Sequence, residues 1–416
     1  MTTARSRLRH ALPLGARVLL ILVGVAIGGA TLPARADIVT IWNEKAIELL
    51  PKMGKQGPFN LRGLAMMHAA MFDAVNAIER RYSPFQVDMT APKNASAEAA
   101  AAAAARRVLL ELVPQQREAI DATFFATVAS IPEGDAKNRG AALGEDVAVK
   151  IALWRAGDRS DEPVEYAPRS GPGFYVATSS APMIAPHWGR VVPWTMTSGN
   201  QFRPGPPPAL DSEQWQRDLA ETMTLGGKDS ERRTAEQTVI AKFHAPPEFP
   251  VWNALARGIA VEKRPSLSAS ARLFALLNLA MADAHIAVYD AKYTYNFWRP
   301  VTAIHAGSAG IAADPTWESL IPAPMHPEYP CAHCTVGGAA LVVLESEFGD
   351  AEPFSVGTGA MPGTGRKYPS FAAFAEEEAF SRILGGIHYR ISWNTGAALG
   401  RKIGEQAIAR MMRPQS

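Results

Sequence analysis

Residues 267–300, LSASARLFALLNLAMADAHIAVYDAKYTYNFWRP, form a long apolar stretch that ends among cations. The apolar side chains recur at three- and four-residue spacing, which predicts a helix over 267–296 with one buried face. Lys292 and Arg299 lie seven residues apart, nearly two helical turns, so we expect both on that face, about 10 Å apart along the axis. Burying two cations is costly unless each has an anionic partner. That partner is either a nearby aspartate such as Asp283 or a bound anion.

Helical periodicity also dominates the rest of the chain, whose 416 residues are 47% hydrophobic and therefore not those of a disordered protein. Apolar residues over 61–78 follow the spacing of one helix face, and the alanine tract over 99–105 favours helix. The alternation of apolar and polar residues typical of strands is scarce, so the sequence predicts an all-α fold. Further helices are predicted around 114–155, 212–243, 334–348, 371–384 and 394–412.

A stretch rich in proline and glycine divides the chain. Residues 166–210 contain nine prolines and are predicted to form a long connection over the surface. This connection would join an N-terminal helical half, residues 37–165, to a C-terminal helical half, residues 211–416. A shorter glycine-rich loop over 357–365 precedes Ser370, which is a predicted helix cap.

The first 36 residues have the pattern of an export signal. Several arginines precede an apolar run over 18–32, and Ala34-Arg35-Ala36 supplies a cleavage pattern of small residues. Beyond residue 36 the chain carries 37 basic and 40 acidic side chains, so the net positive charge of the whole chain comes from residues 1–36. The charge of the remaining chain therefore indicates no nucleic-acid partner. We expect an exported protein, periplasmic or secreted, that is not held in a membrane once the signal is cleaved.

A second notable segment, His326-Pro-Glu-Tyr-Pro-Cys-Ala-His-Cys334, runs into an apolar helix. A helix start that follows a proline presents free backbone N–H groups and the positive end of the helix dipole, and such a start is a general site for anions. His333 would lie in the first turn of this helix, where it can serve as an acid, a base or a ligand.

The third segment, Ser381-Arg382-Ile-Leu-Gly-Gly-Ile-His388, contains two glycines that interrupt a helix and turn the histidine in a new direction. Cations and imidazoles from the three segments together would suit an oxyanion, because guanidinium groups bind its oxygens in a fork. We call these five residues the oxyanion cage: Lys292, Arg299, His333, Arg382 and His388.

The order and spacing of these segments resemble the vanadium-dependent haloperoxidases and the type 2 phosphatidic acid phosphatases. Those families share K-x6-R-P, then P-S-G-H, then S-R-x5-H, and this chain matches with residues 292–300, 330–333 and 381–388. The flanking residues 297–300 and 326–329, and the early helix over 67–76, also look like bacterial haloperoxidases. The resemblance implies an all-α fold of helical bundles and vanadate as the cofactor. It also implies hydrogen peroxide and halide, or a phosphoester, as substrates.

The resemblance also implies a role for each residue of the cage. Lys292, Arg299 and Arg382 would bind the oxygens of the oxyanion. His333 would be the general acid–base, and His388 would bond to the vanadium or, in a phosphatase, attack phosphorus.

A further histidine, His326, lies seven residues before His333. This position matches a second active-site histidine of algal bromoperoxidases. The alternative is a capped loop histidine without a catalytic role.

The chain departs from the family pattern at three positions. Cys331 and Ala332 replace the serine and glycine that contribute to oxyanion binding, and a thiol donates a hydrogen bond only weakly. Ser392 stands where an acidic residue often follows the last histidine by four positions. The local sequence therefore supplies no carboxylate to orient His388.

The leading hypothesis is a vanadate-dependent haloperoxidase, with an acid phosphatase that forms a phosphohistidine, or a non-catalytic oxyanion-binding relative, as alternatives. Cys331 and Cys334 raise two rivals, namely a thiol–disulfide oxidoreductase and a zinc site that also uses His326 and His333. A disulfide between the two cysteines is a third possibility. The sequence leaves the halide, the organic acceptor and the oligomeric state open.

Overall fold

The computed structural model describes residues 19–20, 37–55, 57–162, 164–308, 310–349 and 353–415. The described residues form an all-α protein, as predicted, with a small sheet at one side. The predicted export signal lies outside the described residues apart from the two-residue strand Leu19–Leu20 (β1).

Five helices build the N-terminal half and eight the C-terminal half of the described chain. The first five are α1 (Ile38–Leu49), α2 (Pro58–Glu79), α3 (Ala97–Leu112), α4 (Arg117–Val128) and α5 (Asp135–Arg155). The others are α6 (Glu213–Gly226), α7 (Ala235–Phe243), α8 (Phe249–Lys263), α9 (Leu267–Tyr295), α10 (Pro300–Ala306), α11 (Ala332–Phe348), α12 (Phe371–Leu384) and α13 (Arg390–Arg410). Short 3-10 turns occupy Leu50–Met53, Pro114–Gln116 and Trp188–Arg190.

The structure corrects several predicted boundaries. The pattern over 114–155 is divided between α4 and α5, and the pattern over 212–243 between α6 and α7. Helices α1, α8 and α10 and a β-hairpin were not predicted. The glycine-rich loop over 357–365 joins the two hairpin strands, β2 (Phe354–Gly357) and β3 (Gly365–Tyr368), which pair antiparallel.

Helix α9 is the centre of the core. It is buried along almost its whole length, and α1, α2, α8, α11 and α13 pack around it. Among the described residues, α9 alone is long and apolar enough to cross a membrane, but 94% of its apolar window is buried inside the protein. This burial matches a core helix. It is the helix that the sequence predicts over 267–296.

The predicted connection over 166–210 does not lie only on the surface. Its backbone contains a single short 3-10 turn, yet Trp188 and Trp194 are buried. The carboxylate of Asp283 on α9 accepts backbone hydrogen bonds from Trp194, Thr195 and Met196 at 2.7–3.2 Å. The connection therefore contributes side chains to the core, and a division of the chain into domains at its ends stays a prediction.

Helices α11 and α13 cross at very short range. Three glycines of α13, Gly396, Gly400 and Gly404, face α11. A Cβ atom on Gly400 would lie 2.0 Å from the carbonyl oxygen of Thr335, so only glycine allows this approach. Because α11 begins at the His333 segment and α13 follows His388, this contact sets the distance between two segments of the site.

We expect Gly400→Ala to destabilise the protein by about 1–3 kcal/mol, because the added methyl group must push α11 and α13 apart. Alanine in a helix without this contact would instead stabilise by about 1 kcal/mol relative to glycine. Denaturant unfolding measures the difference. Gly157→Ala, in the turn after α5, is the control for adding a methyl group where a Cβ meets nothing within 4 Å. Equal stability of the two variants would contradict the packing argument.

Candidate active site

Lys292 lies in the last turn of α9 and is fully buried. Its Nζ donates to the carbonyl oxygens of Pro327 at 3.0 Å and Glu328 at 2.6 Å. Burial, with a smaller contribution from Arg299, lowers the pKa of Lys292 well below its ordinary value, and Glu328 opposes the shift. Lys292 thus ties the end of α9 to the 326–334 segment.

Arg299 does not share a helix face with Lys292, which corrects the prediction from spacing. Helix α9 ends at Tyr295, Asn296 adopts a left-handed conformation (φ 53°), and Arg299 is the extended residue that caps α10. The turn brings the guanidinium back toward the same place, where Nη1 donates to the Ile387 carbonyl oxygen at 2.9 Å and Nε to that of His326 at 3.1 Å.

The aspartates near these cations do not neutralise them. Asp283 binds the backbone of the connection, and Asp290 forms an ion pair with Arg203. Lys292 and Arg299 instead donate mainly to backbone carbonyl groups. Carbonyl dipoles satisfy the N–H groups but carry no net charge, so much of the positive charge stays uncompensated.

The 326–334 segment ends in the helix start that the sequence predicts. Cys331 is the N-cap of α11, and its sulfur accepts from the N–H of Cys334 at 3.1 Å. Within the hydrogen bonds of the described chain, the N–H groups of Ala332 and His333 have no acceptor. These two donors, at the positive end of a 17-residue helix, are available to an anion.

The two cysteines form a disulfide, so the described residues contain no free thiol. Zinc binds deprotonated thiolates, which a disulfide does not offer. No group of histidines, cysteines and acids in the described residues could hold a metal ion as ligands. The zinc site predicted from His326, Cys331, His333 and Cys334 is therefore wrong for this state of the protein.

His333 is the cage residue most accessible to solvent, with 17% of its side chain exposed. Its Nε2 lies 3.0 Å from the Pro246 carbonyl oxygen and 3.3 Å from Nη1 of Arg382. Its Nδ1 lies 3.4 Å from the carboxylate of Glu248. Burial and Arg382 lower the pKa of His333 to about 4, and Glu248 opposes that shift.

Sequence reasoning missed Glu248 because it begins an unpredicted helix, α8, far from the three motifs. This buried carboxylate also binds Nε2 of His285, at 2.9 Å. Despite its burial, the pKa of Glu248 is lowered to about 2 by His333 and His285. In the sequence, only the Pro-Pro pair of Ala-Pro-Pro-Glu248, which precedes an apolar stretch, indicates that a helix could begin here.

The third segment places Arg382 and His388 on opposite sides of a glycine turn. Helix α12 ends at Leu384, and Gly386 has a φ of 76°, a conformation that favours glycine. Arg382 is buried at the end of α12, where Nη2 donates to the His244 carbonyl oxygen at 2.5 Å. Beyond the turn, Nε2 of His388 faces Nη1 of Arg299 at 3.3 Å.

A carboxylate does bind His388, which corrects the expectation drawn from Ser392. Oε1 of Glu328 lies 2.7 Å from Nδ1 of His388 and accepts from the N–H of Tyr389 at 3.1 Å. Burial raises the pKa of Glu328 to about 7, although Lys292 and Arg299 lower it. Burial and the neighbouring cations lower the pKa of His388 well below its ordinary value, so its imidazole is neutral.

His326 lies behind Arg299. Its Nδ1 is 3.0 Å from Nη2 of Arg299, and its ring packs against Tyr289 at 5.5 Å between centroids. His326 is thus a buried neighbour of the cage. Its burial, together with the charges of Lys292 and Arg299, lowers its pKa well below the ordinary value.

The structure thus brings all five cage residues together from three distant segments. Arg299 contacts His388 and Arg382 contacts His333, each at 3.3 Å, and, together with burial, Arg299, Lys292 and Arg382 all lower the pKa of His388. The N–H groups of Ala332 and His333 belong to the segment that carries one of these imidazoles. Among the acids, Glu328 raises the pKa of Lys292 and Arg299, and Glu378 and Glu248 raise that of Arg382, against the larger effect of burial. A small oxyanion would find charge, hydrogen-bond donors and a neutral imidazole in this arrangement.

Comparison with known proteins gives three findings. Residues 272–416 match the family model of the VCPO second helical-bundle domain. The vanadium chloroperoxidase of Curvularia inaequalis is 29% identical over a 195-residue alignment that covers 38% of this chain. The chain spans about a third of that relative, 32% of its length.

Solved structures agree with the chain over a larger share of its length. The crystal structure of the first bacterial vanadium-dependent iodoperoxidase superposes with a TM-score of 0.78 and 26% identity, over 92% of this chain and 98% of that one. The holo form of a bacterial vanadium-dependent chloroperoxidase gives a TM-score of 0.69 at 17% identity, over 91% and 98% of the two chains.

We expect His333 to titrate near pH 4 in protein free of oxyanion, as measured by NMR of labelled histidine. Arg382→Gln should raise this pKa because it removes a cation that disfavours the imidazolium. Glu248→Gln should lower it further because it removes the carboxylate that favours the imidazolium. His333→Gln assigns the signal, and shifts of the same sign in both variants would contradict this account of the site.

Proposed function

The chain belongs to the superfamily of vanadium-dependent haloperoxidases and type 2 phosphatidic acid phosphatases, and on that premise we propose that it oxidises halide with hydrogen peroxide. The observation that supports this function best is the hydrogen bond between His388 and Glu328 beside three buried basic side chains. The overall reaction consumes halide, peroxide and a proton and yields hypohalous acid and water.

The residues of the site fit vanadate. Lys292, Arg299 and Arg382 offer the positive charge that would balance a vanadate anion inside the protein. The N–H groups of Ala332 and His333 offer two hydrogen bonds from a helix N-terminus. His388 would hold the vanadium through Nε2. Vanadate, when bound, would activate hydrogen peroxide toward attack by halide.

Cys331 and Ala332 would act through the backbone in this proposal. The disulfide removes the thiol at the position of the family serine, so Cys331 gives no side-chain donor to the anion. Ala332 keeps the N–H that the family glycine would supply. The disulfide also leaves no thiolate that hypohalous acid could oxidise directly.

His333 would move the proton of the reaction. Its Nε2 points between Pro246 and Arg382, at the edge of the cage, and its side chain is the one that solvent reaches. Glu248 would stabilise the imidazolium that forms when His333 takes a proton. We assign His326 a supporting role, because it contacts Arg299 and lies behind it.

We also propose that the protein is exported, periplasmic or secreted. The pattern of residues 1–36 supports export, and a disulfide is typical of oxidising compartments. Small molecules are its expected partners.

The decisive experiment measures vanadium content and halide oxidation in the same preparation. We expect one vanadium per chain after reconstitution, and bromide- or iodide-dependent turnover of a halide-acceptor dye with peroxide. His388→Ala should lose the vanadium, whereas His187→Ala, a change outside the cage, should retain it. Absence of dye turnover in vanadium-loaded protein would refute the peroxidase. Vanadate-inhibited release of phosphate from a phosphomonoester would then identify a phosphatase, and binding alone a non-catalytic relative.

His333→Ala should reduce halide oxidation by about 10²–10⁴-fold, the usual contribution of a general acid–base. The vanadium content should stay within a few-fold of the wild-type value, because the other ligands and donors remain. Steady-state kinetics and metal analysis separate the two effects. A variant that loses vanadium in proportion to activity would show that His333 binds the oxyanion instead of transferring the proton.

A further inference from the structure

The strongest feature that no motif accounts for is the contact between Glu328 and His388, which lie 60 residues apart. We propose that Glu328 is the positioning residue of the site, and that it replaces from a distant segment the acid that is absent at position 392. This inference rests on the proposed function, because it concerns the histidine that would hold the oxyanion.

The hydrogen bonds at Glu328 fix which ring nitrogen of His388 carries the proton. Oε1 accepts from the N–H of Tyr389 at 3.1 Å, so this oxygen acts as an acceptor. Nη1 of Arg299 can only donate and lies 3.3 Å from Nε2 of His388, so Nε2 accepts and the proton of the neutral ring is on Nδ1, which donates to Oε1 2.7 Å away. A neutral imidazole that carries its proton on Nδ1 keeps an acceptor lone pair on Nε2. That lone pair faces the cage, with Nη1 of Arg299 3.3 Å away.

The same residue also holds a cation of the cage. The carbonyl oxygen of Glu328 accepts from Nζ of Lys292 at 2.6 Å, and its N–H donates to the Phe297 carbonyl oxygen at 2.9 Å. One buried residue thus binds the lysine through its backbone and the histidine through its side chain. Replacing only the side chain should release His388 and leave Lys292 in place.

Ser392 occupies the position from which an aspartate could take the place of the Glu328 carboxylate. Ser392 is fully buried one turn into α13, and its hydroxyl lies close enough to Glu328 to lower the pKa of that carboxyl group. Within the described residues, Oε2 of Glu328 and the Ser392 hydroxyl have no regular hydrogen-bond partner. An aspartate at 392 would therefore reach the space that the Glu328 side chain fills, provided that side chain is shortened.

The first test uses protein free of vanadate and follows the His388 ring by NMR of ¹⁵N-labelled histidine. We expect the Nδ1–H form in the wild type and in Glu328→Gln, whose amide oxygen still accepts. Glu328→Ala should lose this preference, and the double variant Glu328→Ala with Ser392→Asp should recover it. An unchanged Nδ1–H form in Glu328→Ala would overturn the proposal.

The second test measures vanadate affinity of the same variants by calorimetry. Glu328→Ala should weaken binding by about 10- to 100-fold, as expected for loss of a group that orients a metal-binding histidine. Glu328→Gln should weaken it less. The double variant should bind within a few-fold of the wild type, and unchanged affinity in Glu328→Ala would contradict the positioning role.

Glu377→Gln is the matched control. Glu377 also pairs with a buried histidine, His244, at 3.1 Å, but its carboxylate contacts no side chain of the cage. It should alter neither the His388 signal nor the vanadate affinity. If the wild type binds no vanadate, the proposed function fails, whereas the NMR test without vanadate still decides the role of Glu328.

Discussion

The burial of three cations in one place governs the architecture of this protein. Lys292, Arg299 and Arg382 are removed from water, and a buried charge is tolerated only where its hydrogen bonds are satisfied. Backbone carbonyl groups from the 244–248, 324–328 and 387–388 segments accept the hydrogen bonds of these side chains. Each of these segments is therefore held against the cage. Carbonyl groups leave the net charge in place, so the same contacts that stabilise the fold preserve an attraction for anions.

Each of the two cage histidines contacts a different carboxylate, and the two contacts suit the histidines to different tasks. Glu328 binds Nδ1 of His388 inside the protein, where the imidazole is neutral and its other nitrogen faces Arg299. Glu248 lies beside His333 at the partly exposed edge, where it favours the protonated ring. One histidine is thereby suited to binding and the other to proton transfer, although both are the same residue type in the same electropositive site.

The glycines and the disulfide set the spacing of these groups. Gly400 lets α13 approach α11, so the turn that carries His388 lies near the helix start that carries His333. The disulfide closes the first turn of α11 around His333 and converts an oxidisable residue into one without a free thiol. A helical core therefore holds the site by close backbone contacts, and the solved vanadium-dependent peroxidases share this fold over most of the chain.

The sequence by itself determined the all-α class and the membership of the cage, because helical periodicity is local and the three motifs keep a fixed order and spacing. It predicted the end of α9 to within one residue, but it could not supply the direction of the chain beyond Asn296, and so it placed Arg299 on the helix face instead of on the turn. It also could not supply Glu248 or the pairing of Glu328 with His388, since Ser392 pointed to an absent carboxylate. Those contacts join segments far apart in the chain, and only the packing of the helices brings such segments within hydrogen-bonding distance.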